Sequence, residues 1–527
     1  MLSVVIFHML FPAWMMLKLT ESSILTTEET YFISKSIPFR ALFFPELGAQ
    51  DQRFVGDTGN LIGFPLGILN QVLENFLLAD IFLEYQISVF LVMFYWTLSL
   101  FILLRQFTSN YLILYTSVIF IMTKLWFLTS WMSQAKVAQI VFFCLSAYIF
   151  VNIRKKPLHS SLGQLTILIL LTYSLTLNVS QFLASWLSVV FLFIPMSNYS
   201  KVNLRTIRNH FRKIVLVLLF LILLHSPAIY MYYTYGLPRG TSTGNWLATN
   251  TSYLFSLIGR GAWWEYGGFH VNTINFEYIP WIHSLDDSFY VLLQFFVVVF
   301  VIFVSLFILY RGKLSNNDKR LLIYVLSFAF TLSILSSGSG IIPFYDEILL
   351  QFRTLMIFRE PWAKFNPLYL ILFTILICIS ISLSKNKLLY FSQISIFLVV
   401  TIYGLIILNS STLNQDVNSP LTINRSEAIS ISKVINLTNK NGYNTCILGQ
   451  YSNPQFRTVE RFFQAKLVND LYGISIDKSF NYSCARKKFN NVIMLLNKDD
   501  WAIINSVPSE AEILELKYLF IVYYNQQ

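Results

Sequence analysis

Long apolar runs broken by short basic stretches set the pattern of this chain. The stretches "ISVFLVMFYWTLSLFILL", "IVLVLLFLILLHSPAIYMYY" and "FYVLLQFFVVVFVIFVSLFILY" each approach or exceed the roughly 20 residues that carry a helix across a bilayer. Continued along the chain, the pattern predicts about eleven spans. They lie near residues 2–18, 85–104, 111–131, 137–153, 162–177, 182–196, 214–234, 288–310, 321–335, 367–384 and 389–408. The opening "MLSVVIFHMLFPAWMMLKL" ends in bulky residues. It lacks the small-residue cleavage site of a secretory signal and reads as a retained first span.

Composition agrees with the pattern. The 527 residues are 55% hydrophobic, 17% aromatic and 12% charged, with a mean hydropathy of +0.58. That places the chain among α-helical polytopic membrane proteins. The net charge of +11 does not point to nucleic acid, because the basic residues sit between apolar runs. They are Arg105, Arg154 with Lys155 and Lys156, "SKVNLRTIRNHFRK", "RGKLSNNDKR", and Lys385 with Lys387. The positive-inside rule assigns such loops to the cytoplasm. The expectation is a multi-pass protein of the cell membrane, with its N-terminus cytoplasmic and everything after residue 409 extracytoplasmic. Of the 27 carboxylates, only Asp318 then falls in a cytoplasmic loop. The working face is expected to be the outer one.

The threading divides the chain into a transmembrane domain, residues 1–408, and an extracytoplasmic tail, residues 409–527. Outer loops fall at 20–84, 235–287 and 336–366. The tail turns polar and carries strand-like "TCILGQY", "NVIMLL" and "LKYLFIVYY" with helix-like "NRSEAISISKVINLT". This mixture predicts a small α/β domain. Cys144 and Cys378 fall in spans, where they read as small apolar residues. Cys446 and Cys484 are the two in the tail, and a disulfide between them is plausible in an oxidising compartment.

Few residues offer chemistry on the outer face. No G-x-x-x-x-G-K-[ST] phosphate loop is present, and no ATP or nucleotide sugar is expected on that side. An enzyme there needs an activated donor already in the lipid, such as a polyprenyl-phosphate sugar. Transfer from it needs a carboxylate to take the acceptor's proton and cations to stabilise the departing phosphate. The first loop offers Asp57 in "QDQRFVGDTGNLIGFPLG", where helix capping or turn formation is the structural alternative. The third segment offers Arg359 and Lys364 in "FREPWAKFNP"; Arg359 has the fork geometry for a phosphate, and snorkelling is the alternative for such cations. The second loop carries two histidines and several acids without H-x-x-x-H or D-x-D spacing. No metal or cofactor is expected, with a divalent metal left open. Within the spans, His8, Lys124 and His225 are nearly the whole ionisable content.

The second loop also contains "GRGAWWEYGGFH". Its Trp263, Trp264, Glu265, Tyr266 and Gly267 differ by one acidic swap from WWDYG, the signature of oligosaccharyltransferase catalytic subunits. In that family the motif follows all the spans, whereas here it follows the seventh expected one. The wider set of features, Gly56-Asp57-Thr58 in a large first outer loop and "FREPWAKF" ahead of a late span, resembles the GT-C superfamily of polyprenyl-phosphate-dependent glycosyltransferases. More narrowly it resembles the membrane core of the arabinofuranosyltransferase D type and its archaeal and bacterial relatives, with Glu360 where those relatives tend to carry Asn. The resemblance implies inverting transfer to an acceptor glycan, lipid or protein, with Asp57 as base. It places Arg359 and Lys364 near the lipid phosphate. Trp263, Trp264 and Glu265 would line the acceptor groove. The alternatives are an oligosaccharyltransferase-like N-glycosylation enzyme, and a non-enzymatic polysaccharide or lipid transporter or envelope assembly protein.

Overall fold

The computed structural model of the chain describes residues 2–20, 23–25, 81–130, 134–152, 158–172, 181–189, 215–216, 219–220, 222–223, 252–259, 269–271, 274–276, 288–312, 314–352, 358, 361–410, 422–440, 445–449, 459, 474–477, 491–497, 509–516 and 519–525. Among them six helices are long and apolar enough to cross a membrane. These are α1 (Leu2–Thr20), α2 (Ile81–Leu104, apolar from Tyr85), α9 (Ser288–Arg311), α10 (Asn316–Ser337), α12 (Pro361–Leu383) and α13 (Lys387–Ser410). Shorter helices fill the bundle: α3 (Tyr111–Met122), α4 (Leu125–Ser130), α5 (Gln134–Asn152), α6 (Leu158–Leu171), α7 over residues 181–189 and α8 (Tyr253–Leu257). The fold is that of a polytopic helical membrane protein.

Helix α12 is the axis. Of its apolar window 89% is buried, against 17% for α1. It packs along α10 and touches α3, α4, α5, α9 and α13. The sequence alone places this span at 367–384, yet the helix starts at Pro361. Proline fits the first turn of a helix because that N–H has no intrahelical partner. The expected span 111–131 is likewise corrected. Thr123 and Lys124 interrupt it and leave two helices.

Contacts sort the helix ends into two layers. At one end, Ser3 pairs with Tyr115, Asn110 with Tyr390, Asn152 with Gln106, and Ser382 with the Phe107 carbonyl. Exposed Arg105, Arg311, Arg320, Lys385 and Lys387 surround this layer. Asp318 lies here too: its backbone N–H donates to Ser315 Oγ, which caps α10, and the Ser315 hydroxyl donates to the Asp318 carboxylate. At the other end, Gln86 reaches Thr20, Lys124 reaches Gln294, and Tyr253 pairs with Ser333.

The second layer also carries the tail. Strand β1 (Ser23–Leu25) pairs antiparallel with β4 (Thr422–Asn424), so the exits of α1 and α13 share one face. Asn424 and Glu427 form a capping box that starts α14 (Arg425–Lys440). Its Ala428, Ile431, Val434 and Ile435 are buried, at the spacing of one helical face. The Arg425 guanidinium sits 5.8 Å from the Phe82 ring at the head of α2. Beyond lies a five-stranded sheet in the order β6-β5-β7-β9-β8, made of β5 (Thr445–Gly449), β6 (Ile474–Asp477), β7 (Asn491–Asn497), β8 (Glu512–Glu515) and β9 (Leu519–Asn525). Strands β5, β6 and β7 run parallel, and β9 lies antiparallel to β7 and β8. Residues Val492 to Leu496 are all buried, as a strand covered on both faces requires. Lys433 of α14 pairs with Glu512 of β8.

Candidate functional site

The site is built at the tail-bearing end of α12. Pro367 lies inside the helix and has no N–H to give the carbonyl four residues back, which is that of Ala363. The indole N–H of Trp126 donates to that oxygen at 3.3 Å. Gln139 Nε2 donates to the next carbonyl, Lys364 O, at 2.8 Å. Asn366 Nδ2 donates to Ser256 O at 2.8 Å, and the Tyr369 hydroxyl to Leu257 O at 2.9 Å. Helices α4, α5 and α8 therefore clasp the first two turns of α12 through its backbone and polar side chains. Irregular backbone at this depth survives only where other protein groups satisfy it.

Lys364 stands within this clasp and is only 4% exposed. A snorkelling lysine leaves its head group in water, and this one does not. Phe365 beside it stacks on Phe358 with ring centres 5.6 Å apart. Asn366, Gln139 and Ser256 are fully enclosed. The Asn366 Oδ1, Gln139 Oε1 and Ser256 Oγ atoms have no hydrogen-bond partner among the described residues. Buried acceptors of this kind normally meet water or a ligand donor.

A second buried amine lies close by. Lys124, 3% exposed, donates to Gln294 Oε1 at 2.6 Å and sits 4.0 Å from the centre of the Phe120 ring. Gly259 ends α8 with φ at 80°, and a Cβ there would lie 3.1 Å from Leu370 and 3.5 Å from Lys124. That left-handed turn, which favours glycine, starts the stretch leading toward "AWWEYGGFH". The same stretch ends in a hairpin of β2 (Phe269–Val271) and β3 (Ile274–Phe276). Tyr345 of α11 (Tyr345–Gln351) donates to Phe358 O at 3.1 Å, and burial pushes its phenol above the ordinary value.

Of the residues singled out by the sequence, Lys364 is placed in the clasp. Asp57, Arg359, Trp263, Trp264, Glu265 and Cys484 lie outside the described residues. Cys446 is on β5. Cys144 and Cys378 are buried free thiols. Sequence reading missed Gln139, Asn366, Ser256 and Gln294, since nothing local marks them; only the paired prolines at 361 and 367 hint that backbone groups there need outside partners.

No protein-family model matches the chain, and none of the curated proteins does. Among solved structures the chain is similar to ArnT from Cupriavidus metallidurans, crystallised bound to undecaprenyl phosphate. The identity is 8%, the alignment covers 99% of this chain and 98% of that one, and the TM-score is 0.48. That likeness transfers no residue role to this chain.

Proposed function

We propose that the chain is an integral-membrane glycosyltransferase that moves a sugar from a polyprenyl-phosphate donor to an acceptor glycan, lipid or protein on the outer face. The observation that carries this reading is the position of Lys364. It is a lysine of the "FREPWAKF" string, buried at the tail-bearing end of the most enclosed helix and away from the basic layer. A cation held there meets a phosphate at the bilayer surface without reorganising. The basic layer faces the cytoplasm by the positive-inside rule, which puts Lys364 on the outer side.

In this reading Asp57 accepts the proton as the acceptor hydroxyl attacks the anomeric carbon. The new glycosidic bond forms while the bond from that carbon to the phosphate oxygen breaks, and the polyprenyl phosphate leaves. Arg359 and Lys364 stabilise the charge that develops on it. Trp263 and Trp264 offer faces on which a sugar ring stacks, and Glu265 orients the acceptor. Mass spectrometry of lipid-linked and surface glycans, from cells with and without the chain, tests the proposal. One residue missing from one glycan, with its lipid-linked precursor accumulating, is expected. Unchanged glycans of every class overturn it.

A further inference from the structure

The segment between α10 and α12 carries apolar side chains that the bundle does not cover. It opens at Gly338, with φ at 53°, and turns at Phe344, the one described non-glycine residue with positive φ, at 61°. Such a conformation is costly for a bulky side chain and persists only where its surroundings impose it. Phe344 is 73% exposed, Ile348 41% and Phe352 52%. Backbone bonds from Ile348 to Phe344 and from Phe352 to Ile348 space the three one turn apart, with Ile348 inside the short helix and Phe344 and Phe352 as its N-cap and C-cap. The neighbouring face is anchored: Leu349 is buried, and Tyr345 is tied to Phe358. On the helical turn Asp346 lies opposite Ile348, Glu347 flanks Phe344, and the exposed Leu350 falls between the two acids.

We infer that α11 is a membrane-interface wedge, whose Phe344, Ile348 and Phe352 side chains insert into the acyl boundary of the outer leaflet while Asp346 and Glu347 stay in water. The occupant follows from the flanking elements. Two candidate spans end at Ser337 and begin at Pro361, which holds the segment at a bilayer surface. The preceding span α10 likewise exposes apolar side chains such as Phe330. A short helix with exposed apolar side chains, one anchored face and acids in its first turn suits an interface plane.

Nitroxide labels at cysteines placed at 344, 346, 347, 348 and 352 test this. The host is the full chain in phosphatidylcholine and phosphatidylglycerol vesicles, with its four native cysteines replaced by alanine. The ratio of oxygen to aqueous nickel-complex relaxation is expected to be at least threefold higher at 344, 348 and 352 than at 346 and 347. Equal ratios at all five positions overturn the wedge. Spin–spin broadening between copies at 344 or 348 also overturns it, because it assigns these side chains to a second chain. The label at 348 decides the matter should the Phe344→Cys protein fail to fold.

Discussion

Trp126 donates its indole N–H to the carbonyl of Ala363, 3.3 Å away on α12, and does so because Pro367 cannot. Trp126→Phe keeps an aromatic side chain but loses the N–H and part of a fully buried volume; the unpaired oxygen costs roughly 1–3 kcal/mol, with a packing loss added to it. Pro367→Ala supplies the missing N–H from within the helix. In the Pro367→Ala background, Trp126→Phe is therefore expected to cost much less. Thermal unfolding in detergent of the two single variants and the double variant reads the coupling. Additive losses would show that the indole contact is incidental.

Helices α9 and α13 meet closely at Gly404. A Cβ at that position would lie 2.7 Å from the Tyr290 hydroxyl, and Tyr290 is 2% exposed with little room to yield. Gly404→Ala should destabilise the bundle by about 1–3 kcal/mol, the usual range for overpacking. Removing the hydroxyl with Tyr290→Phe should restore most of that loss. The melting temperatures of the three variants check it.

Lys124 depends on Gln294 for its hydrogen bond. Gln294→Leu strands the amine in an apolar site and should cost about 1.5–3 kcal/mol. Lys124→Met combined with Gln294→Leu should recover much of the stability, since two apolar groups of similar length need no partner. Equal stability of Gln294→Leu and wild type would contradict the pairing.

Sidedness follows from the two layers of contacts. A cysteine at exposed Ser426, next to the β1–β4 pair, should react with a membrane-impermeant maleimide added outside intact cells. One at exposed Asn386, in the basic layer, should react only after permeabilisation. The reverse pattern would invert the assigned topology.

The sequence made the hydrophobic architecture readable and the polar joints less so. The run at 288–310 became α9 almost residue for residue, because a continuous apolar stretch of that length has few other ways to satisfy its backbone in lipid. Span α10 was expected at 321–335 but begins at Asn316. Its polar first turn lowers hydropathy, though the Ser315 and Asp318 cap was written in the sequence. The head of α12 was missed for a similar reason. Two prolines, Lys364 and Asn366 look unlike a span, and the groups that compensate them, Trp126, Gln139 and Ser256, are more than a hundred residues away. The three strands and the helix quoted for the tail reappear as β5, β7, β9 and α14. The four-residue strands β6 and β8 were not anticipated, being too short to establish alternation. As for the site, Lys364 was singled out from its local string, and the fold shows where it lies. Gln139, Asn366 and Ser256 carry no local signal, and Asp57, Arg359 and the "WWEYG" residues are known only as sequence.

The central claim rests on Asp57. Cells in which the chain is replaced by its Asp57→Asn variant, inserted at the wild-type level, provide the most direct measurement: the amount of product glycan by mass spectrometry. The account predicts that product falls by about two to four orders of magnitude, the usual contribution of a positioned general base, while Glu265→Gln retains most of it. Normal product from Asp57→Asn would contradict the account. Loss of protein N-glycosylation from Glu265→Gln alone would point instead to an oligosaccharyltransferase.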